Sequence, residues 1–101
     1  MKYVNILTDN DLLEIYKLFI GSEDDFVSLE ITRFNNSINL DGVIKIEDPE
    51  NPNEMIEIDD CYEISDYNVK VYDHSGSIKK IYRKYMYNRF GNKYAEDFLL
   101  E

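Results

Sequence analysis

Carboxylates are the side chains of this chain whose spacing could do chemistry. Segment 55–64 alternates, with Ile56, Ile58, Tyr62 and Ile64 on one side and Glu57, Asp59, Cys61 and Glu63 on the other. Residues i and i+2 of a strand share a face roughly 6.5–7 Å apart, so Glu57, Asp59 and Glu63 make a row of negative charge. Asp48, Glu50 and Glu54 belong to the segment 47–54 just before it, which reads as a loop because its two prolines oppose regular strand pairing. Glu23, Asp24 and Asp25 are expected to lead into the sheet from its other end. A protein that binds nucleic acid reads phosphate mainly as regularly spaced negative charge. A carboxylate ladder can therefore pair with the Lys and Arg groups that such a protein presents. The plain alternative is a solvated polar face.

Other chemistries fit less well. A calcium loop needs closely spaced oxygens and a glycine at the turn, and 48–54 has oxygens and prolines but no glycine. Zinc calls for several Cys or His, and the chain has one of each, Cys61 and His74. No metal or cofactor is expected. His74, Ser75, Gly76 and Ser77 read as a turn plus a helix cap, since nothing marks a third triad group or an oxyanion hole. Cys61 falls on the acidic face, where Glu57, Asp59 and Glu63 disfavour a thiolate. The reading is of a binder rather than an enzyme.

A second charged feature has the opposite sign. Lys79, Lys80, Arg83, Lys84 and Tyr87 fall on one side of a helical pattern, with Ile78, Ile81, Tyr82 and Tyr85 on the other. Four cations on one helix face are a possible secondary basic site for phosphate. Against that, residues 1–78 hold 18 acidic and 5 basic residues, which repels nucleic acid. The basic face also suits partial neutralisation of the acidic sheet, or contact with the sheet of a second copy. Among the tyrosines, Tyr62, Tyr67, Tyr82 and Tyr85 fall on expected core faces, and Tyr72 and Tyr87 on outer ones.

The elements that position these groups are legible in outline. Thr8 caps a helix over 9–20, with Asp9 and Asp11 in its first turn, Leu12, Ile15, Tyr16 and Phe19 on its apolar face, and Gly21 after it. From Phe26 the period becomes two, with Val27, Leu29 and Ile31 together. The residues 35–37 turn, and 38–46 resume as one strand or as two broken at Asp41 and Gly42. After 55–64, Tyr67, Val69 and Val71 form another strand, and helical patterns follow from 78 and over 93–100, separated by Gly91. The expected fold is α+β: an N-terminal helix, an antiparallel sheet of four to five strands and a C-terminal helix, with a single layer of helices on one sheet face.

The chain has 101 residues and reads as a single domain, 1–101, with enough Leu, Ile and Val for a modest core. Its net charge of −10 exceeds what solubility needs and costs stability by self-repulsion. A lone cysteine fits a reducing, cytoplasmic setting. The apolar stretch at 1–7 is too short for a signal peptide, and no run is long enough to span a membrane.

A small acidic domain with no paired cysteines resembles the phage- and mobile-element-encoded inhibitors that imitate DNA, among them the anti-CRISPR proteins. The wording around Tyr82, Arg83, Lys84, Tyr85, Met86, Tyr87, Asn88, Arg89 and Phe90 looks like that of low-GC Gram-positive bacteria and their phages. The resemblance covers size and charge along the whole chain and carries no signature motif. It implies a protein inhibitor, monomeric or homodimeric, acting in the bacterial host cytoplasm. Such an inhibitor occludes the positively charged DNA channel of an RNA-guided nuclease, by protein–protein interaction and without binding nucleic acid itself. The acidic residues that would carry the contact are Glu23, Asp24, Asp25, Asp48, Glu50, Glu54, Glu57 and Asp59. The alternatives are an immunity protein or antitoxin against a basic nuclease toxin, and a small phage regulator that binds nucleic acid through helix 79–89.

Overall fold

The computed structural model describes residues 3–70 and 77–98. Local signals account for the first helix, α1 (Asp9–Ile20). The Thr8 hydroxyl accepts from the Asp11 amide at 3.1 Å, and the Asp11 carboxylate accepts from the Thr8 amide at 2.9 Å, which closes a reciprocal capping box. Gly21 ends α1 at φ +73°, with its N–H on the Lys17 carbonyl at 3.0 Å. Leu12, Ile15, Tyr16 and Phe19 are buried.

A short 3-10 turn (Glu23–Asp25) leads into four strands, β1 (Phe26–Arg33), β2 (Ile38–Asp48), β3 (Asn51–Ile64) and β4 (Val69–Lys70). They pair antiparallel in the order β1-β2-β3-β4. Two helices follow, α2 (Ser77–Phe90) and α3 (Asn92–Phe98), divided by Gly91 at φ +74°. The fold is α+β, with three α-helices and four strands among the described residues. None of those helices is long and apolar enough to cross a membrane.

Residues 38–48 form one strand, not two. Gly42 sits in its middle because the Tyr16 ring occupies the space where a Cβ would stand. Register puts Ile38 opposite Ile64 and Leu40 opposite Tyr62, and all four side chains join the core with Tyr16, Phe19, Tyr82 and Met86. In β1, Leu29 and Ile31 pack against that core, and a register shift between Phe26 and Ser28 takes Val27 out of their alternation. The strand expected over 67–72 is limited to Val69 and Lys70 among the described residues. Val71, Tyr72, His74 and Ser75 lie outside them.

Tyrosine hydroxyls tie the layers together. Tyr82 and Tyr94 donate to the backbone carbonyls of Ser65 and Asp66 in the turn after β3, Tyr94 at 2.7 Å. The Asp66 side chain accepts from the Val4 amide at 2.7 Å, which draws in the N-terminal segment. There the Tyr3 ring lies 5.1 Å from Phe90 and 5.3 Å from Tyr94, and its hydroxyl donates to Asp97 at 2.6 Å. Helices α1 and α2 run antiparallel, since Phe19 meets Tyr82 while Asp11 meets Arg89.

Candidate acidic interface

The acidic candidates are organised by a feature that the two prolines concealed. Among the described residues β1 meets β2 as far as Ile44, opposite Phe26, and β4 meets β3 at Glu63 and Ile64. Beyond those partners β2 and β3 continue as a two-stranded arm over 45–57. At about 3.3 Å per residue its turn at 49–50 stands roughly 16 Å past Ile44, in a molecule 48 Å in its longest dimension. Segment 47–54 is therefore the end of a hairpin rather than a loop. The prolines still act locally: register passes from Glu47 opposite Met55 to Asp48 opposite Asn51, so residues 52–54 drop out of the ladder. Side chains close the tip, the Glu50 amide donating to Asp48 at 2.9 Å and the Asn53 amide to Asn51 at 3.4 Å.

Glu57, Asp59 and Glu63 share the face turned away from the core, as the alternation requires. Across the ladder Glu57 faces Lys45, Asp59 faces Val43 and Cys61 faces Asp41. Asp41 in turn faces Glu30 on β1. Glu30, Asp41, Asp59 and Cys61 line one shallow groove on this face. Glu30 and Asp41 thus join the patch through strand register, which sequence alone does not supply. Burial, with a hydrogen bond to Asp41, pushes the Cys61 thiol up. Asp60 points the other way and is structural: it accepts from Tyr62 at 2.9 Å and from Tyr16 at 3.4 Å.

Glu23, Asp24 and Asp25 do not lie at the other end of the sheet. They sit on the turn before Phe26, which pairs with Ile44, and so at the end from which the arm projects. The antiparallel meander requires this, because β1 starts where β2 finishes. Asp48, Glu50, Glu54 and Glu57 therefore occupy the arm, Asp59 its root, and Glu23, Asp24 and Asp25 the adjoining rim. Among the described residues the ion pairs are Arg33 with Asp9 and Arg89 with Asp11, neither of which engages these candidates.

Asp11 serves the scaffold instead. Only 8 % of it is exposed, and it accepts from Thr8, from the Tyr85 hydroxyl at 2.8 Å and from Arg89 at 3.4 Å. Burial pushes its carboxyl up, but the Thr8 amide, the Tyr85 and Thr8 hydroxyls and Arg89 together hold it below the ordinary range.

The basic helix face is narrower than its sequence implies. Lys79, Lys80 and Lys84 are exposed, but the Arg83 guanidinium lies 3.7 Å from the centre of the Tyr67 ring and Nε donates to the Tyr67 carbonyl at 3.3 Å. Tyr67 also stacks on Phe98 at 5.7 Å. Arg83 is a structural clamp, and three lysines remain. Tyr87 is exposed and its hydroxyl donates to Asn92 at 3.3 Å.

Among the described residues no group of three His, Cys, Asp or Glu side chains could hold a metal ion. Compared with protein families, curated proteins and solved structures, the chain has no match.

Proposed function

We propose that this chain is a non-enzymatic protein inhibitor whose acidic arm binds the basic, nucleic-acid-binding surface of another protein. Its target in this reading is an RNA-guided nuclease, so the protein acts as an anti-CRISPR in the bacterial cytoplasm. The observation that carries the reading is the projecting hairpin: Glu47, Asp48, Glu50, Glu54 and Glu57 against Lys45 alone. Asp59, Glu23, Asp24 and Asp25 at its root extend the charge. Concentrating like charge on a narrow ribbon is costly unless it meets the opposite sign. A two-stranded ribbon is also narrow enough to enter a channel that holds a nucleic-acid duplex. The helices, as a single layer on one sheet face, leave the acidic face free for the same contact. Long-range attraction would speed association and make it salt-sensitive.

The test is cleavage of target DNA by a panel of RNA-guided nucleases across a salt series, with wild type and Glu50→Lys/Glu57→Lys/Asp59→Lys. The expected result is inhibition by wild type that weakens as salt rises and is lost in the variant. Active nucleases untouched by wild type would overturn the nuclease as target, and protection against a basic nuclease toxin would identify an immunity protein instead.

A further inference from the structure

Two ladder pairs place the arm's isoleucines together: Ile44 opposite Ile58 and Ile46 opposite Ile56. They have the parity of Ile38, Leu40, Tyr62 and Ile64, so they continue the core face of the sheet out along the arm. Ile44 packs against the core, whereas Ile46, Ile56 and Ile58 neither join it nor pack against it. Ile58 is 37 % exposed, and Met55, on the opposite face, is 57 % exposed. Cross-strand isoleucine pairs are strong ribbon formers, but the solvent side of a ribbon needs no such residues to stay paired. Ile46 and Ile56 are half-buried, and a contiguous, partly exposed apolar strip on a strongly charged element marks a contact surface.

We propose that Ile46, Ile56 and Ile58 are the anchor of the arm's docking face, and that the occupant is a basic protein surface with an apolar centre. This rests on the reading of the arm as the partner-binding element and adds what that contact is made of. The charge around the isoleucines selects the occupant. Asp48, Glu50 and Glu54 lie beyond them toward the tip, and Glu47 and Glu57 project from the other face of the same narrow ribbon, with Lys45 as the one cation of the arm. Arm-to-arm pairing of two copies would bring two such rims together and repel, and the helix face of a second copy offers only Lys79, Lys80 and Lys84 among the cations of that patch, so a more basic partner is favoured over self-association. In such an interface the apolar centre is shielded from water and holds the partner, while the charged rim steers it in. Pure phosphate mimicry would need the carboxylates alone.

The probes are two synthetic helical peptides of equal positive charge, one with Leu at amphipathic spacing among the Lys residues, the other with those Leu replaced by Ser. Binding is followed by methyl and amide NMR shifts on the full chain. The expected result is about tenfold tighter binding of the Leu peptide, with shifts centred on Ile46, Ile56 and Ile58. That preference should vanish in Ile46→Ser/Ile56→Ser/Ile58→Ser and survive in Met55→Ser and in Ile46→Leu, with far-UV circular dichroism verifying the fold of each. Equal affinity for both peptides, shifts centred elsewhere, or self-association that buries the isoleucines would each overturn the proposal. Failure to inhibit nucleases with a retained Leu preference would refute the choice of target and leave the docking face standing.

Discussion

Gly42 is the position where a single methyl group tests how the arm is joined to the body. It lies in the middle of β2, opposite Leu29 on one side and Asp60 on the other. A Cβ there would collide with the Tyr16 ring and hydroxyl. Tyr16 cannot withdraw easily, because it is fully buried, packs edge-on against Phe26 at 6.0 Å and Tyr62 at 5.8 Å, and donates to the Asp60 carbonyl at 3.0 Å. Overpacking of a well-filled site costs about 1–3 kcal/mol, and losing the Tyr16 hydrogen bond costs about 1 kcal/mol more. Gly42→Ala is therefore expected to lower stability by about 2–4 kcal/mol, large for a domain whose whole stability is about 5–15 kcal/mol. In urea titrations followed by circular dichroism the midpoint should fall with little change in slope. The clash is local, so Tyr16→Leu should recover part of it: Gly42→Ala should cost less in the Tyr16→Leu background than in wild type, a favourable coupling beyond about 0.5 kcal/mol. A Gly42→Ala protein within about 0.5 kcal/mol of wild type, or costs that simply add, would refute the close approach of Tyr16 to β2.

Asp11→Asn should cost about 1–3 kcal/mol, because it weakens the helix cap, leaves Arg89 without its charged acceptor and leaves the Tyr85 hydroxyl with Glu14 as its charged acceptor. The wild-type carboxyl is held below its unfolded value of 3.8, so its contribution is present above about pH 4 and is lost as pH falls through the lower folded value. Urea midpoints measured from pH 6 down to 2 should therefore show a smaller acid-side decline in Asp11→Asn than in wild type. At the alkaline end the sign is reversed. Burial pushes up the Tyr16, Tyr62, Tyr82, Tyr85 and Tyr94 hydroxyls, and the Asp97 hydrogen bond and burial carry Tyr3 to about 12. Their stabilisation is complete below pH 10 and is lost as pH rises through the folded values. Absorbance of tyrosinate should show these tyrosines ionising together with unfolding above pH 10, not in a separate earlier step.

What was legible in the sequence, and what was not, divides by the range of the interactions. Thr8, Asp11 and Gly21 act within one turn of chain, and they bound α1 where a reader of residue types would put its ends. The parity of Glu57, Asp59 and Glu63 is likewise local, since alternation needs no partner strand. The arm is different. Nothing in 45–57 states that β1 starts at Phe26 or that, among the described residues, β4 meets β3 at Glu63 and Ile64, and the two-stranded arm emerges from those partners. Pro49 and Pro52 mark where the ladder breaks, and that break lies at the tip of an element rather than between two elements. Glu30 and Asp41 enter the acidic patch through register, and Arg83 leaves the basic one through Tyr67, a residue 16 positions away. Asp60 could have been separated from Asp59 by parity alone: an even position in β3 shares the face of Tyr62 and Ile64, so it must find hydrogen-bond donors, and Tyr16 and Tyr62 supply them. The same parity places Ile46, Ile56 and Ile58 on the core side of the sheet but beyond the core cluster. A strand pattern that keeps its apolar side after the core has ended is a signal in itself, because three isoleucines give the ribbon its cross-strand pairing and also leave Ile58 open to a partner.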